Sequence, residues 1–171
     1  MASLTDVFDL GTLSLHSGEG RSLDLEAGVD AFSLGGQRYG AEGGSVPVTL
    51  DVSHTTNGYA MRLRYHVKLT GPCMRCLEDA GRSTDIDVRE IDQPGGGDEL
   101  TSPYLDGELL DLHGWVRDSL VLALPSQIVC REDCKGLCAV CGQNLNDAEP
   151  GHSHDAAPDP RWAKLDELKF E

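Results

Sequence analysis

In YAMRLRYHVKL, residues 59–69, every odd position is apolar: Tyr59, Met61, Leu63, Tyr65, Val67 and Leu69. The even positions carry Ala60, Arg62, Arg64, His66 and Lys68. A period of two kept over so long a run excludes a helix and demands a strand with one buried face. VPVTLDV, residues 46–52, repeats the pattern through Val46, Val48, Leu50 and Val52. Asn57-Gly58 between the two runs is a strong hairpin signal. STDIDVREI, residues 83–91, offers a third strand with Ile86 and Val88 inward. Residues 46–91 therefore read as an antiparallel meander.

The rest of the chain is arranged around that meander. Residues 1–45 read as short strands and loops; LGTLSLH and RSLDLEA alternate briefly, and GGQRYGAEGG reads as a turn-rich linker. Residues 92–108 read as a loop with acids and no Lys or Arg. A helix is expected from Asp111 to Leu124, capped by Asp111 and stopped by Pro125. Leu112, Trp115, Val116, Ser119, Leu120 and Ala123 share one face. Gly114 costs that helix about 1 kcal/mol relative to Ala. A short docking helix is expected over 159–170, with Asp159 as N-cap, Pro160 at the first position, and Trp162, Leu165 and Leu168 recurring every three residues. Aromatic residues are only 5% of the chain against 39% hydrophobic, so the core is small and aliphatic. The expected class is α+β, mainly antiparallel β: a small twisted sheet or partial barrel with one packed helix, then a metal-knuckle segment and a short helix. The division expected is a β-rich domain, 1–125, and a cysteine-rich tail, 126–171.

Four of the six cysteines, Cys130, Cys134, Cys138 and Cys141, crowd into VCREDCKGLCAVCGQNLN, residues 129–146. No basic leader with an apolar run opens the chain and no stretch approaches the roughly 18 apolar residues of a membrane span, so a cytoplasmic setting is expected. In a reducing compartment, clustered thiols are more often metal ligands than disulfides. LCAVCG, 137–142, is a C-x-x-C-G knuckle: two thiolates grip one ion, and the glycine permits the positive φ of the turn. Asn144 and Asn146 brace that loop through side-chain-to-backbone bonds. A structural zinc needs four tetrahedral ligands. Cys130 and Cys134 can complete a local four-cysteine site, and His152 or His154 can replace one of them. Cys73 and Cys76, in GPCMRCLED at a hairpin turn, can instead close a split site with Cys138 and Cys141, as in a zinc ribbon. The plainer reading of Cys73 and Cys76 is a pair of partly buried free thiols. An iron–sulfur cluster is the rival metal group, but the knuckle favours zinc. A structural Zn2+ is expected. No H-E-x-x-H, P-loop, G-x-S-x-G or G-x-G-x-x-G occurs, and no catalytic residue or small-molecule substrate is expected.

The formal net charge is −15, so phosphate backbones are repelled by the chain as a whole. Against that, residues 59–75 hold Arg62, Arg64, Lys68 and Arg75 and no acid. One reading is a strand facing RNA. The other is cross-strand neutralisation, with Asp85 and Asp87 opposite Lys68 and His66.

CMRCLE in a hairpin turn, then DLHGWVRDSLVLALP, then CREDCKGLCAVCGQNLN, then DPRWAKLDEL: this order resembles the bacterial and plastid YceD family, described as large ribosomal RNA subunit accumulation proteins. The likeness covers 46–171 well and the N-terminus loosely. It implies a role in the synthesis, processing or stability of large-subunit (23S) ribosomal RNA. Related chains tend to carry C-x-C where this one has His152-Ser153-His154, an exchange of thiol for imidazole that fits a metal ligand. Some relatives lack the C-terminal cysteines, so the metal is not the functional centre of every member. Cys73, Arg75 and Cys76 carry over as a candidate contact site beside Arg62, Arg64 and Lys68. The expected function is a nonenzymatic ribosome-biogenesis factor. Its partner would be ribosomal RNA or a large-subunit ribosomal protein, without a membrane. The rivals are an acidic escort for a basic ribosomal protein and a zinc-dependent RNA-processing enzyme.

Overall fold

The computed structural model describes residues 4–154. The docking helix expected over 159–170 lies outside the described residues. The elements run β1 (Val7–Asp9), a 3-10 turn (Leu10–Leu13), β2 (Gly20–Gly28), β3 (Phe32–Leu34), β4 (Gln37–Ala41), β5 (Ser45–His54), β6 (Tyr59–Pro72) and β7 (Asp79–Asp92). A 3-10 turn (Asp98–Leu100), β8 (Leu105–Asp106), β9 (Leu109–Asp111) and α1 (Leu112–Leu122) follow. Among the described residues the architecture is mainly antiparallel, with one α-helix and a cysteine-rich segment after it.

Strand β6 organises the larger sheet. It pairs with β7 along its whole length, from Tyr59 opposite Asp92 to Pro72 opposite Asp79. Its other edge is shared: β5 takes Tyr59–Tyr65 and β4 takes Leu69 and Thr70. Strand β2 pairs with β5, and β3 with β4, so the sheet stays open rather than closing into a barrel. A smaller sheet, β1-β9-β8, sits beside it. The odd residues of β6 from Tyr59 to Leu69 are all buried, and meet Val46, Val48, Leu50 and Val52 of β5 and Ile86 of β7. Helix α1 covers this face with Leu112, Trp115, Val116 and Leu120. Ala123, expected on that face, is the C-cap and is exposed, because the helix ends before it.

Several local features have specific causes. The hairpin expected at Asn57-Gly58 forms, but neither residue has a positive φ. Glycine is needed at 58 for room, since a Cβ there would lie 2.0 Å from the Asp92 carbonyl oxygen. Gly114 is not merely a cost to α1. Its N–H donates to the Asp111 carboxylate at 2.9 Å, and a Cβ would crowd that cap. The segment expected as a linker, GGQRYGAEGG, contains a hairpin arm instead: Tyr39 of β4 is buried and its hydroxyl donates to the Pro72 carbonyl at 2.6 Å. LGTLSLH is a 3-10 turn, not a strand, because the Asp9 carboxylate caps it by accepting from the Gly11 N–H.

Tyr65 ties sheet to helix. Its hydroxyl donates to the Val116 carbonyl at 2.8 Å and lies 2.9 Å from the Ser119 hydroxyl. Burial pushes the phenol up to about 12, so it remains a neutral donor. Tyr65→Phe removes the buried bonds between sheet and helix at Val116 and Ser119 and should cost about 1–2 kcal/mol in urea unfolding, with an unchanged slope.

Candidate metal centres

The β6–β7 hairpin closes through residues 73–78, and its turn is a thiol knuckle. The Cys73 N–H donates to the Glu78 carbonyl at 2.7 Å, and the Leu77 N–H to the Cys73 carbonyl at 3.0 Å. Leu77 adopts a left-handed φ of 63°. The residues after α1 wrap this turn. Ile128 is buried, its carbonyl accepts from the Met74 N–H at 2.9 Å, and Arg75 donates to the Cys134 carbonyl at 3.1 Å and to Gln127 at 3.3 Å.

The wrapping brings Cys130 and Cys134 to Cys73 and Cys76. Cys73 Sγ lies 3.8 Å from Cys134 Sγ, and Cys76 Sγ lies 3.6 Å from Cys130 Sγ. All four sulfurs fall within 4.8 Å of one another, and three of the four residues are buried. A tetrahedral ion with zinc–sulfur bonds of about 2.3 Å needs sulfurs about 3.8 Å apart, so these residues fit a metal. Their electrostatics fit it as well. Burial pushes the Cys73 thiol up, but the N–H groups of Cys76 and Arg75 aimed at its sulfur outweigh that and bring it to about 6. The Asn146 amide, 3.4 Å from Cys134 Sγ, lowers that thiol. Burial and the three neighbouring thiols push Cys130 up to about 12.

The other four donors form a second group. Cys141 Sγ lies 3.5 Å from His152 Nε2 and 3.3 Å from His154 Nε2, and the two imidazole nitrogens are 3.1 Å apart. Cys138 completes the set within 4.8 Å. The N–H group of Cys141, then His152 and the N–H of Val140, bring the Cys138 thiol to about 6. Gly142 has the expected positive φ, 73°. Asn144 and Asn146 brace the loop: Asn144 Oδ1 accepts from the Asn146 N–H at 3.0 Å, and Asn146 Oδ1 from the Lys135 N–H at 2.9 Å.

The structure thus groups the donors differently from either sequence partition. Cys130 and Cys134 join Cys73 and Cys76 rather than Cys138 and Cys141, and both histidines fall in one group. Nothing local in the sequence links Cys73 and Cys76 to a segment more than fifty residues away, so spacing alone favours reading them as free thiols. The available signal was the count, since eight Cys and His candidates are twice four.

The basic row lies on the outer face of the sheet. Arg62 makes two bonds to Asp87 at 2.7 and 2.6 Å, and Arg64 pairs with Asp51 at 2.8 Å. His66 meets Asp85 at 2.7 Å and Lys68 meets Glu42 at 3.0 Å. The Arg62 guanidinium holds the Asp87 carboxyl below its ordinary value; the Ser22 hydroxyl, then Arg64, does the same for Asp51. The register differs by two from expectation: Asp85 faces His66 and Asp87 faces Arg64, because the turn they flank is the knuckle 73–78.

An open antiparallel sheet whose longest hairpin ends in a thiol knuckle, clasped by a cysteine-rich segment, defines a small β-rich protein with a candidate metal staple. The chain belongs to the YceD family, described as "Large ribosomal RNA subunit accumulation protein YceD", which it matches over residues 61–169. It is 34% identical over 133 residues to an uncharacterized protein of Mycobacterium tuberculosis, covering 74% of this chain and 63% of that one. It is 35% identical over 103 residues to an uncharacterized protein of Mycobacterium leprae, covering 56% of this chain and 46% of that one. It is 30% identical over an alignment of 182 residues to the chloroplastic "Large ribosomal RNA subunit accumulation protein YCED homolog 1" of Zea mays, covering 85% of this chain and 60% of that one. The chain therefore spans between 46% and 63% of the length of these longer relatives. No solved structure matches it significantly. Among the described residues, no helix is long and apolar enough to cross a membrane.

Two outcomes are expected. Chelation should raise amide exchange far more over 127–146 and at Met74 than in β5 and the middle of β6; equal loss along the chain would contradict this. Leu77→Gly, which relieves a left-handed leucine that is 54% exposed, should raise the unfolding free energy by about 1 kcal/mol in calorimetry.

Proposed function

We propose that this protein is a nonenzymatic ribosome-biogenesis factor that supports the synthesis, processing or stability of large-subunit (23S) ribosomal RNA, with zinc as a structural element. The family match over 61–169 carries the reading. That range takes in most of β6, all of β7 and α1, and every Cys and His of the candidate centres. Each candidate centre offers four protein donors, which leaves no open position for a water or substrate, as a catalytic zinc requires. The zinc-dependent RNA-processing enzyme gains no support from such ligation. In this reading the β-rich part, 1–125, carries the fold, and 126–171 is a tail ordered by metal. The protein acts in the cytoplasm.

A second reading concerns the route, and the ion pairs favour it. RNA contact through Arg62, Arg64 and Lys68 would have to displace Asp87, Asp51 and Glu42. Cys73, Arg75 and Cys76 face the tail. Meanwhile Asp98, Glu99, Asp106 and Glu108 are exposed on a segment without cations, on a chain of net charge −15. The protein then reaches the large subunit as an acidic escort for a basic ribosomal protein, and charge complementarity speeds the encounter.

A pull-down of the tagged protein from cells, washed with and without RNase, separates the routes. A large-subunit ribosomal protein that survives RNase but leaves in high salt is the expected result. Large-subunit RNA recovered with no protein after RNase would reinstate the basic strand as the contact. Recovery of neither would remove the ribosomal reading.

A further inference from the structure

We infer that the chain holds two metal ions, one for each C-x-x-C knuckle, and that the two ions have different duties. The first observation is that the knuckles are the same turn made twice. In one, the Cys73 N–H donates five residues ahead to Glu78, and the Leu77 N–H donates back to the Cys73 carbonyl. In the other, the Cys138 N–H donates five residues ahead to Gln143 at 2.8 Å, and the Gly142 N–H back to the Cys138 carbonyl at 2.9 Å. The residue after the second cysteine is left-handed in both, Leu77 at 63° and Gly142 at 73°. In both, the N–H groups two and three residues after the first cysteine point at its sulfur. Such a nest of amides is built for an anion, here a thiolate, and a thiolate pair needs a cation.

The second observation is that each knuckle has its own complement of two more donors. In the all-cysteine group, edges of 3.6 and 3.8 Å match a tetrahedron of thiolates. For the mixed group, zinc–sulfur bonds of about 2.3 Å and zinc–nitrogen bonds of about 2.05 Å require sulfur–nitrogen edges of about 3.5 Å and a nitrogen–nitrogen edge of about 3.3 Å. The structure has 3.5 and 3.3 Å for the former and 3.1 Å for the latter. No donor is shared, so a single ion satisfies one knuckle and leaves the other without its cation.

The duties differ by what each group joins. The all-cysteine group links residues 54 and 61 positions apart and is mostly buried, so its ion fastens the tail to the end of the sheet. The mixed cysteine–histidine group links positions only 11 and 13 apart and is half open to solvent, so its ion orders residues 138–154 alone. Metal affinity then becomes folding free energy for the whole chain in one case and for a local loop in the other. Asn146 lies between them, donating to Cys134 Sγ while its partner Asn144 pairs with Leu137 across the second knuckle.

The inference extends the structural-zinc part of the proposed function and is independent of the ribosomal role, because it is read on the purified chain. Zinc is counted by mass spectrometry on the full-length protein purified under reducing conditions, and on the His152→Ala/His154→Ala double variant. The expected counts are two ions and one ion, with the variant keeping the wild-type far-ultraviolet spectrum and unfolding midpoint. Cobalt replacement should show two sets of visible bands in the wild type. Only the set at longer wavelength, from four thiolates, should persist in the variant. Any other pair of counts overturns the inference: one ion in the wild type means the donors are not two sites, and two or none in the variant means the histidines do not make a separate one. Cys73→Ser/Cys76→Ser should also drop to one ion but lower the midpoint. An unchanged midpoint there would overturn the assigned division of duties.

Discussion

Four sulfurs converge within 4.8 Å of one another, where their ionisations are coupled. The backbone amides of the 73–78 turn ask for a thiolate at Cys73, and the Asn146 amide asks for one at Cys134. Each thiolate that forms makes the next harder to form, and Cys130, close to all three others, is pushed the furthest up. A dication at the centre would displace the remaining protons and offset part of the charge that repels. The rest of the structure is arranged so that this cluster exists: a hairpin of two 14-residue strands carries two thiols to its tip, α1 caps the inner face of the sheet, and the chain leaving α1 has to return past that tip. Ile128 and the Met74–Ile128 backbone bond set the approach before any metal is involved.

What was legible in the sequence is what local pattern records. The alternation over 59–69, the matching run before it and the Asp111 cap all have periods or spacings of a few residues, and the strands and helix formed where they indicate. The turn glycine at 142 was legible for the same reason. Pairing across long separations was not. The partner of Cys73 lies 61 residues away, and a C-x3-C beside a C-x-x-C reads naturally as one site when only neighbours are compared. The hairpin of β3 and β4 was hidden by its glycines, which look like a linker until Tyr39 is seen buried against Gly71 and bonded to Pro72. At Asn57-Gly58 the sequence points to the right hairpin for a reason other than the real one, since crowding by Asp92 rather than a left-handed φ demands the glycine.

The outer face of the sheet shows why a basic row is a weak sign of a nucleic-acid surface. Each basic residue of β6 has an acid within reach on a neighbouring strand or turn: Asp87 and Asp85 on β7, Asp51 on β5, Glu42 after β4. Exposed pairs of this kind contribute little to stability. Their consequence is a field that cancels at short range, so the net charge of −15 is expressed elsewhere, the cation-free segment before α1 included. The alternation that identified β6 could not reveal this, because the neutralising residues are contributed by three other parts of the chain.

The two knuckles also differ in a way that supports their different duties. Gly142 takes up its left-handed conformation without steric cost, as suits a loop held by short-range hydrogen bonds and its own four donors. Leu77 takes up the same conformation against its own Cβ, and its side chain is 54% exposed, so burial returns little of that strain. A strained residue persists only where its surroundings over-determine it. At Leu77 they do: the 73–79 backbone is held on one side by the β6–β7 ladder closing at Pro72 and Asp79, and on the other by the tail. The first knuckle is shaped by the fold before a metal arrives, whereas the second has no strand or helix around it among the described residues beyond the single bridge between Leu137 and Asn144. Strain therefore sits in the knuckle that the sheet already supports, and the unstrained glycine sits in the knuckle that must be assembled by its ion.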